Sequence, residues 1–162
     1  MIIIITGPTA VGKTNLSLSL FQKLSKKFGD TFILSVDSRQ VYRYLDIGTD
    51  KVSKIIRKYI PHYLIDSFTL DYDFSLYDFL KITKKIVEFI RKNNLNLIMV
   101  GGTILYIYSL IKNFSLPPTN YQIRKKYENY DIGALKEILN KIDKNILLNY
   151  PYLDKKRIIR YI

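Results

Sequence analysis

Three short apolar runs, the second interrupted only by Ser35, punctuate the chain at positions 2–5, 32–36 and 97–100. Runs of this length, bounded by polar or glycine residues, predict strands buried on both faces. Between them the apolar positions recur at helical spacing. Leu16, Leu20 and Leu24 fall on one face of a helix expected from Gly12 to about residue 28. Phe79, Ile82, Ile86 and Ile90 fall on one face of a second, spanning about 75–93. Ser75 followed three residues later by Asp78 is similar to a capping box, with Asp in place of the usual Glu or Gln. A third helix is expected after Thr103. Strands alternating with helices predict an α/β fold, a parallel sheet flanked by helices.

Leu116-Pro117-Pro118-Thr119-Asn120 breaks this pattern. Beyond it only helical periodicity remains, at about 121–129, 133–141, 144–148 and 154–162. The expected organisation is therefore an α/β part, 1–116, followed by an all-helical segment, 117–162. Short helices are marginal without packing partners. The helical segment is expected to be the least protected region, and its last helix to lack the partners that would follow it.

The first strand runs into Gly7-Pro8-Thr9-Ala10-Val11-Gly12-Lys13-Thr14, which satisfies G-x-x-x-x-G-K-[ST] in full and precedes an amphipathic helix. Glycines let the backbone wrap an anion, Lys13 brings a point charge, and Thr14 offers a hydroxyl to Mg²⁺. The motif predicts phosphate binding on a P-loop NTPase-like sheet. It leaves open a nucleoside triphosphate, a phosphoryl donor or another diphosphate ester. The second strand ends in Asp37-Ser38-Arg39-Gln40-Val41-Tyr42, and the third in Gly101-Gly102-Thr103. In a parallel sheet these segments share a rim with the phosphate loop. Asp37 then has two chemical readings: holding a Mg²⁺-bound water, or accepting a proton from a nucleophile. Each segment could also be a simple turn or helix cap.

Composition narrows the chemistry. The 162 residues contain no cysteine and one histidine, which excludes disulfides, thiolate metal sites and multi-histidine centres. His62, beside apolar neighbours, reads as structural. The absence of cysteine fits a reducing, cytoplasmic setting. No apolar run approaches the ~20 residues of a membrane span, and the apolar residues 2–5 lack the preceding basic region of a signal peptide. The formal charge of +12 favours a polyanionic partner, nucleic acid above all, although lysines on a solvated surface produce the same sum. Arg157 and Arg160 lie three apart on one face of the final helix. Tyr121, Tyr127 and Tyr130 are open to base stacking, and more readily to packing.

Taken in order, several segments resemble the signatures of the tRNA dimethylallyltransferase family. After the phosphate loop come Asp37-Ser38-Arg39-Gln40-Val41-Tyr42-Arg43, Asp46-Ile47-Gly48-Thr49-Asp50-Lys51 and Pro61-His62-Tyr63-Leu64-Ile65-Asp66. Ser75-Leu76-Tyr77-Asp78-Phe79, Gly101-Gly102-Thr103-Ile104-Leu105-Tyr106 and Asp154-Lys155-Lys156-Arg157-Ile158-Ile159-Arg160 follow. The resemblance implies a prenyl transfer from dimethylallyl diphosphate to N6 of the adenosine beside the tRNA anticodon, with Mg²⁺. It implies that Gly7, Pro8, Thr9, Ala10, Val11, Gly12, Lys13 and Thr14 hold the diphosphate, and that Lys13, Asp37 and Thr103 take part in catalysis. It places Asp37, Ser38, Arg39, Gln40, Thr103, Arg157 and Arg160 against the anticodon stem-loop. A monomer is expected. Members of the family usually continue well past the final arginine segment, and have Asp-Pro where this chain has Asp143-Lys144. The chain thus corresponds to about the first half of a typical member, and its helical segment is expected to be truncated and its activity weak or absent. Two other classes share these features: a small P-loop kinase of a metabolite or nucleotide, and a non-catalytic RNA-binding relative.

Overall fold

The computed structural model describes residues 1–116 and 120–162, and divides them between two units, Met1–Phe114 and Ser115–Ile162. Pro117, Pro118 and Thr119 of the expected break lie outside the described residues, as does the side chain of Tyr121.

The first unit runs β1 (Ile2–Thr6), α1 (Lys13–Phe28), β2 (Thr31–Ser35), α2 (Lys54–Tyr59), β3 (His62–Tyr63), α3 (Leu76–Lys92), β4 (Asn96–Gly101) and α4 (Ile104–Ile111). The strands form one parallel sheet in the order β1-β4-β2-β3. The two inner strands are nearly all buried, which is why they read as mainly apolar runs without alternation. Side chains alternate across the sheet with period two. Ile98 of β4 and Ile33 of β2 pack with Leu24 of α1 on one face. Leu97, Met99 and Leu34 pack with Phe79 and Ile90 of α3 and Tyr106 of α4 on the other. The structure is the expected P-loop NTPase-like parallel sheet flanked by helices.

Two local expectations change. The buried stripe of α1 passes through Ser17 (1% exposed) and Leu24, whereas Leu16 is 51% exposed. The Ser17 hydroxyl fits there because it donates to Thr14 O at 2.7 Å, which satisfies a polar group that burial would otherwise penalise. Strand β3 and helix α2 were not foreseen. In α3, by contrast, Ser75 accepts from Asp78 N while Ser75 N donates to Asp78 Oδ2 at 3.0 Å, a reciprocal capping box.

The second unit packs α5 (Tyr121–Tyr127), α6 (Ile132–Ile142), α7 (Lys144–Asn149) and α8 (Lys155–Tyr161). Asn120, Asp131, Asp143 and Asp154 each cap the helix that follows. Lys144 occupies the first helical position of α7, a site that proline also suits. The last helix packs against helices that precede it. Ile158 and Ile159 of α8 are buried with Leu135 and Leu139 of α6, and Ile123 and Tyr127 of α5 pack against this cluster. The Tyr127 ring meets Tyr130 edge-on at 5.2 Å. Among the described residues no helix is long and apolar enough to cross a membrane.

Two predictions follow from these cores. Phe79 is 1% exposed and stacks on Tyr106 at 4.2 Å. Phe79→Ala should cost about 3–5 kcal/mol in the first unit, read by urea unfolding. On β3, His62 Nδ1 bonds to Ile60 O at 2.7 Å, and burial, then Arg57, lowers the imidazole pKa below its ordinary 6.5. The unfolded chain therefore binds this proton more readily. Stability present above about pH 6.5, the unfolded value, should be lost as pH falls from there through the lowered folded pKa, and His62→Gln should flatten the unfolding midpoint over that range.

Candidate active site

Strand β1 delivers the chain to the phosphate loop at Thr6, and α1 begins at Lys13. The loop turns tightly enough to need positive φ at Gly12 (89°) and at Ala10 (67°). No side chain caps the N-terminus of α1, so its first-turn N–H groups are directed to whatever anion the loop encloses. Lys13 reaches back over the loop, its Nζ donating to Pro8 O at 2.5 Å. Thr14 is partly buried beside it. The loop therefore concentrates a cation, a helix N-terminus and a hydroxyl at one end of the sheet.

The chain leaving β2 supplies the second wall. Asp37 Oδ1 accepts from Arg39 N at 2.8 Å and from Gln40 N at 3.2 Å, which holds the carboxylate still. This is the turn-capping role open to Asp37 from sequence, yet it engages one oxygen. Oδ2 has no hydrogen bond among the described residues. Arg39 is exposed. The Gln40 amide faces inward: Nε2 donates to Thr49 O (2.9 Å) and Asp50 O (3.2 Å), while Oε1 accepts from Ser35 Oγ (2.8 Å). Gln40 thereby pins the loop carrying Gly48, Thr49 and Asp50 to the end of β2.

The third wall follows β4. A Cβ on Gly101 would lie 2.0 Å from Val36 O, so no side chain fits there. Gly102 sits beside Gly7 O, 3.7 Å from its ideal Cβ position. Thr103 begins α4 without capping it. Its hydroxyl accepts instead from Ser38 N at 3.1 Å, and its own N–H donates to Val36 O at 3.3 Å. Tyr106, one turn along α4, is pushed up to about 12 by burial first, with Tyr42 and the Asp37 carboxylate adding to it.

The three walls enclose a cavity of about 390 Å³ lined by Thr9, Lys13, Thr14, Asp37, Gln40 and Gly102 among others. Ser38 and Thr103, bonded to each other, are not lining residues. His62, read from sequence as structural, does line it, and its Nε2 is buried without a hydrogen bond. Nothing in its local sequence marks this, because the approach comes from the pairing of β3 with β2. Arg157 and Arg160 belong to the second unit. Arg157 is 67% exposed and lies 3.6 Å from Asp154. Among the described residues no group of three or more acidic or histidine side chains could hold a metal ion. The donors present suit Mg²⁺ bound mainly by phosphate oxygens and water, with Thr14 contributing its hydroxyl.

The profile of the IPP transferase family matches residues 40–162. Among curated proteins, the tRNA dimethylallyltransferase of Natranaerobius thermophilus is 39% identical over 98% of this chain and 49% of its own length. That of Pseudothermotoga lettingae is 39% identical over 98% of this chain and 50% of its own length. The chain thus spans about half the length of the curated relatives it matches. Among solved structures, full-length tRNA isopentenylpyrophosphate transferase from Bacillus halodurans superposes with a TM-score of 0.64 at 32% identity, over 99% of this chain and 53% of that one. A eukaryotic dimethylallyltransferase acting on tRNA superposes with a TM-score of 0.75 at 27% identity, over 98% of this chain and 40% of that one. On the match of its residues 40–162, the chain belongs to the IPP transferase family.

Proposed function

We propose that the chain carries the diphosphate-holding and proton-accepting parts of an enzyme that transfers a dimethylallyl group from dimethylallyl diphosphate to N6 of the adenosine beside the tRNA anticodon. The observation that carries this reading is the shared cavity of Lys13, Thr14 and Asp37. The N6 amine is a poor nucleophile, because its lone pair is delocalised into the ring. Transfer therefore needs a stabilised leaving group and a base. Lys13 and the first turn of α1 hold the diphosphate and offset the charge it gains as its C–O bond breaks. The Thr14 hydroxyl would help hold Mg²⁺, which would supply further neutralisation of the diphosphate charge. Asp37, steadied through Oδ1 by two backbone N–H groups, takes the amine proton on its other oxygen as the N–C bond forms. Arg39 and Gln40 line the side the base would enter, with Ser38 and Thr103 bonded to each other next to it, and entry requires flipping the base out of its stack. Arg157 and Arg160 suit phosphate contacts to the stem. A tRNA substrate fits a cytoplasmic, monomeric enzyme. The phosphoryl-transfer alternative is less well served, because β4 ends in Gly101-Gly102 where a Walker-type site would present a carboxylate.

The direct test is radiolabel transfer from dimethylallyl diphosphate to an anticodon stem-loop. It should be run with this chain alone and together with a polypeptide spanning the second half of a full-length relative. Lys13→Ala should weaken binding of the Mg²⁺–diphosphate by about 2–4 kcal/mol; equal affinity by calorimetry would remove Lys13 from the site. Asp37→Asn should lower turnover by about 10²–10⁴-fold with RNA affinity little changed. Rescue of that variant by high Mg²⁺, with a collapsed metal affinity, would make Asp37 a metal residue instead of a base.

A further inference from the structure

Behind the Asp37 wall lies a cluster of charges that the chemistry above does not use. The Lys51 side chain is only 4% exposed. Each of its three ammonium donors has an acceptor: Tyr42 O at 2.6 Å, Asp66 Oδ1 at 2.7 Å and Asp46 Oδ1 at 3.1 Å. Asp66 is more heavily committed still. Its second oxygen accepts from Arg57 Nη2 at 2.8 Å, its carbonyl accepts from Arg43 Nε at 3.0 Å, and its N–H donates to Gln40 O at 3.1 Å. Burial acts to raise its carboxyl, and the hydrogen bonds and charges of Lys51 and Arg57 overcome this and hold it below the ordinary range. Its backbone is left-handed, with φ 52°, a conformation that Asp and Asn tolerate better than most residues.

These bonds converge on one segment. Residues 40, 42, 43, 46 and 51 all lie on the stretch that leaves Asp37, crosses an exposed tip at Ile47 (97% exposed) and returns beneath Gln40. The stretch has no helix or strand of its own. It bends through positive φ at Tyr44, Gly48 and Asp50, and few apolar side chains hold it, Val41 being its one fully buried member. Its outgoing limb is tied to residues 67 and 68 by backbone bonds of Val41 and Arg43, and the pair Lys51–Asp66 ties the returning limb to the same segment. The returning limb then presents the Thr49 and Asp50 carbonyls to the Gln40 amide, next to the Asp37 turn.

We propose that Asp66 and Lys51 are positioning residues that set the Asp37–Gln40 wall at the distance an adenine base requires. They act on acceptor recognition and leave the phosphate loop, on a different connection, alone. This rests on the reading of that wall as the base-accepting side. A buried pair of this kind contributes modestly to net stability; its specific effect is on the course of the returning limb, whose Thr49 and Asp50 carbonyls meet the Gln40 amide.

The test uses the intact chain and two RNA ligands: an anticodon stem-loop with its target adenosine, and the same loop with that nucleotide abasic. Affinity for Mg²⁺–diphosphate is measured in parallel. The wild-type chain should prefer the adenosine loop by at least about fivefold, the scale of one well-held base. Asp66→Asn keeps the shape and tolerates the left-handed backbone. It should reduce that preference to within about twofold while diphosphate affinity stays within about threefold. Lys51→Met keeps the stem, leaves the Asp66–Arg57 pair intact, and should give the same selective loss; it serves if Asp66→Asn does not fold. A retained preference in both variants overturns the proposal. So does a parallel fall in preference and diphosphate affinity, which marks a general structural role. Wild-type chain that binds diphosphate but shows no preference removes the base-accepting reading itself, and the proposal with it.

Discussion

At the end of β4 the backbone of Gly101 runs so close to Val36 that an added Cβ would meet the Val36 carbonyl at 2.0 Å. Val36 N donates to Val100 O at 2.8 Å, and Thr103 N to Val36 O at 3.3 Å, so the strand ends stay locked beyond the regular ladder. Everything chemical in the first unit hangs on this closure. It brings Gly102 against Gly7 of the phosphate loop, and puts the Thr103 hydroxyl under Ser38. The Asp37 carboxylate and Lys13 consequently line one cavity, although they come from different βα connections. Parallel strands made this possible. All four point the same way, so every connection that follows a strand emerges at the same rim.

The site walls differ in how they are held. The phosphate loop is carried by rigid neighbours: β1 on one side and the sixteen-residue α1 on the other. The Asp37–Gln40 wall is held by hydrogen bonds and ion pairs. Gln40 spends its amide on the polypeptide around it, and Asp66 spends every polar group it has. A wall of that kind tolerates little change in charge. It also explains why polar residues with no role in chemistry crowd this part of the chain.

How far the sequence revealed this depended on the range of each interaction. The phosphate loop, α1, α3 with its Ser75–Asp78 box, and the two inner strands each leave a signal within a few consecutive residues, and their spacing showed them. Strand β3 has two residues, His62 and Tyr63, too few for any period to register. Helix α2 has six, with no buried face to mark it. Leu16 was assigned inward because leucine outranks serine in hydrophobicity, yet the geometry of α1 turns Ser17 to the sheet. The Lys51–Asp66 pair joins residues fifteen apart through a loop with no regular structure, and His62 reaches the cavity only by strand pairing. In the second unit the helices were legible, but the burial of Ile158 on Leu135 and Leu139 was not, because it depends on how α5, α6 and α8 pack.

The central claim is that the cavity between the phosphate loop and Asp37 receives a prenyl diphosphate, not a nucleoside triphosphate. Competition calorimetry with Mg²⁺ present measures this on the chain itself. A non-reactive thiolo analogue of dimethylallyl diphosphate should bind with an affinity that depends on Lys13, and Mg²⁺–ATP should fail to displace it at equal concentration. Tighter binding of Mg²⁺–ATP, with displacement of the prenyl analogue, would contradict the account and return the site to phosphoryl transfer.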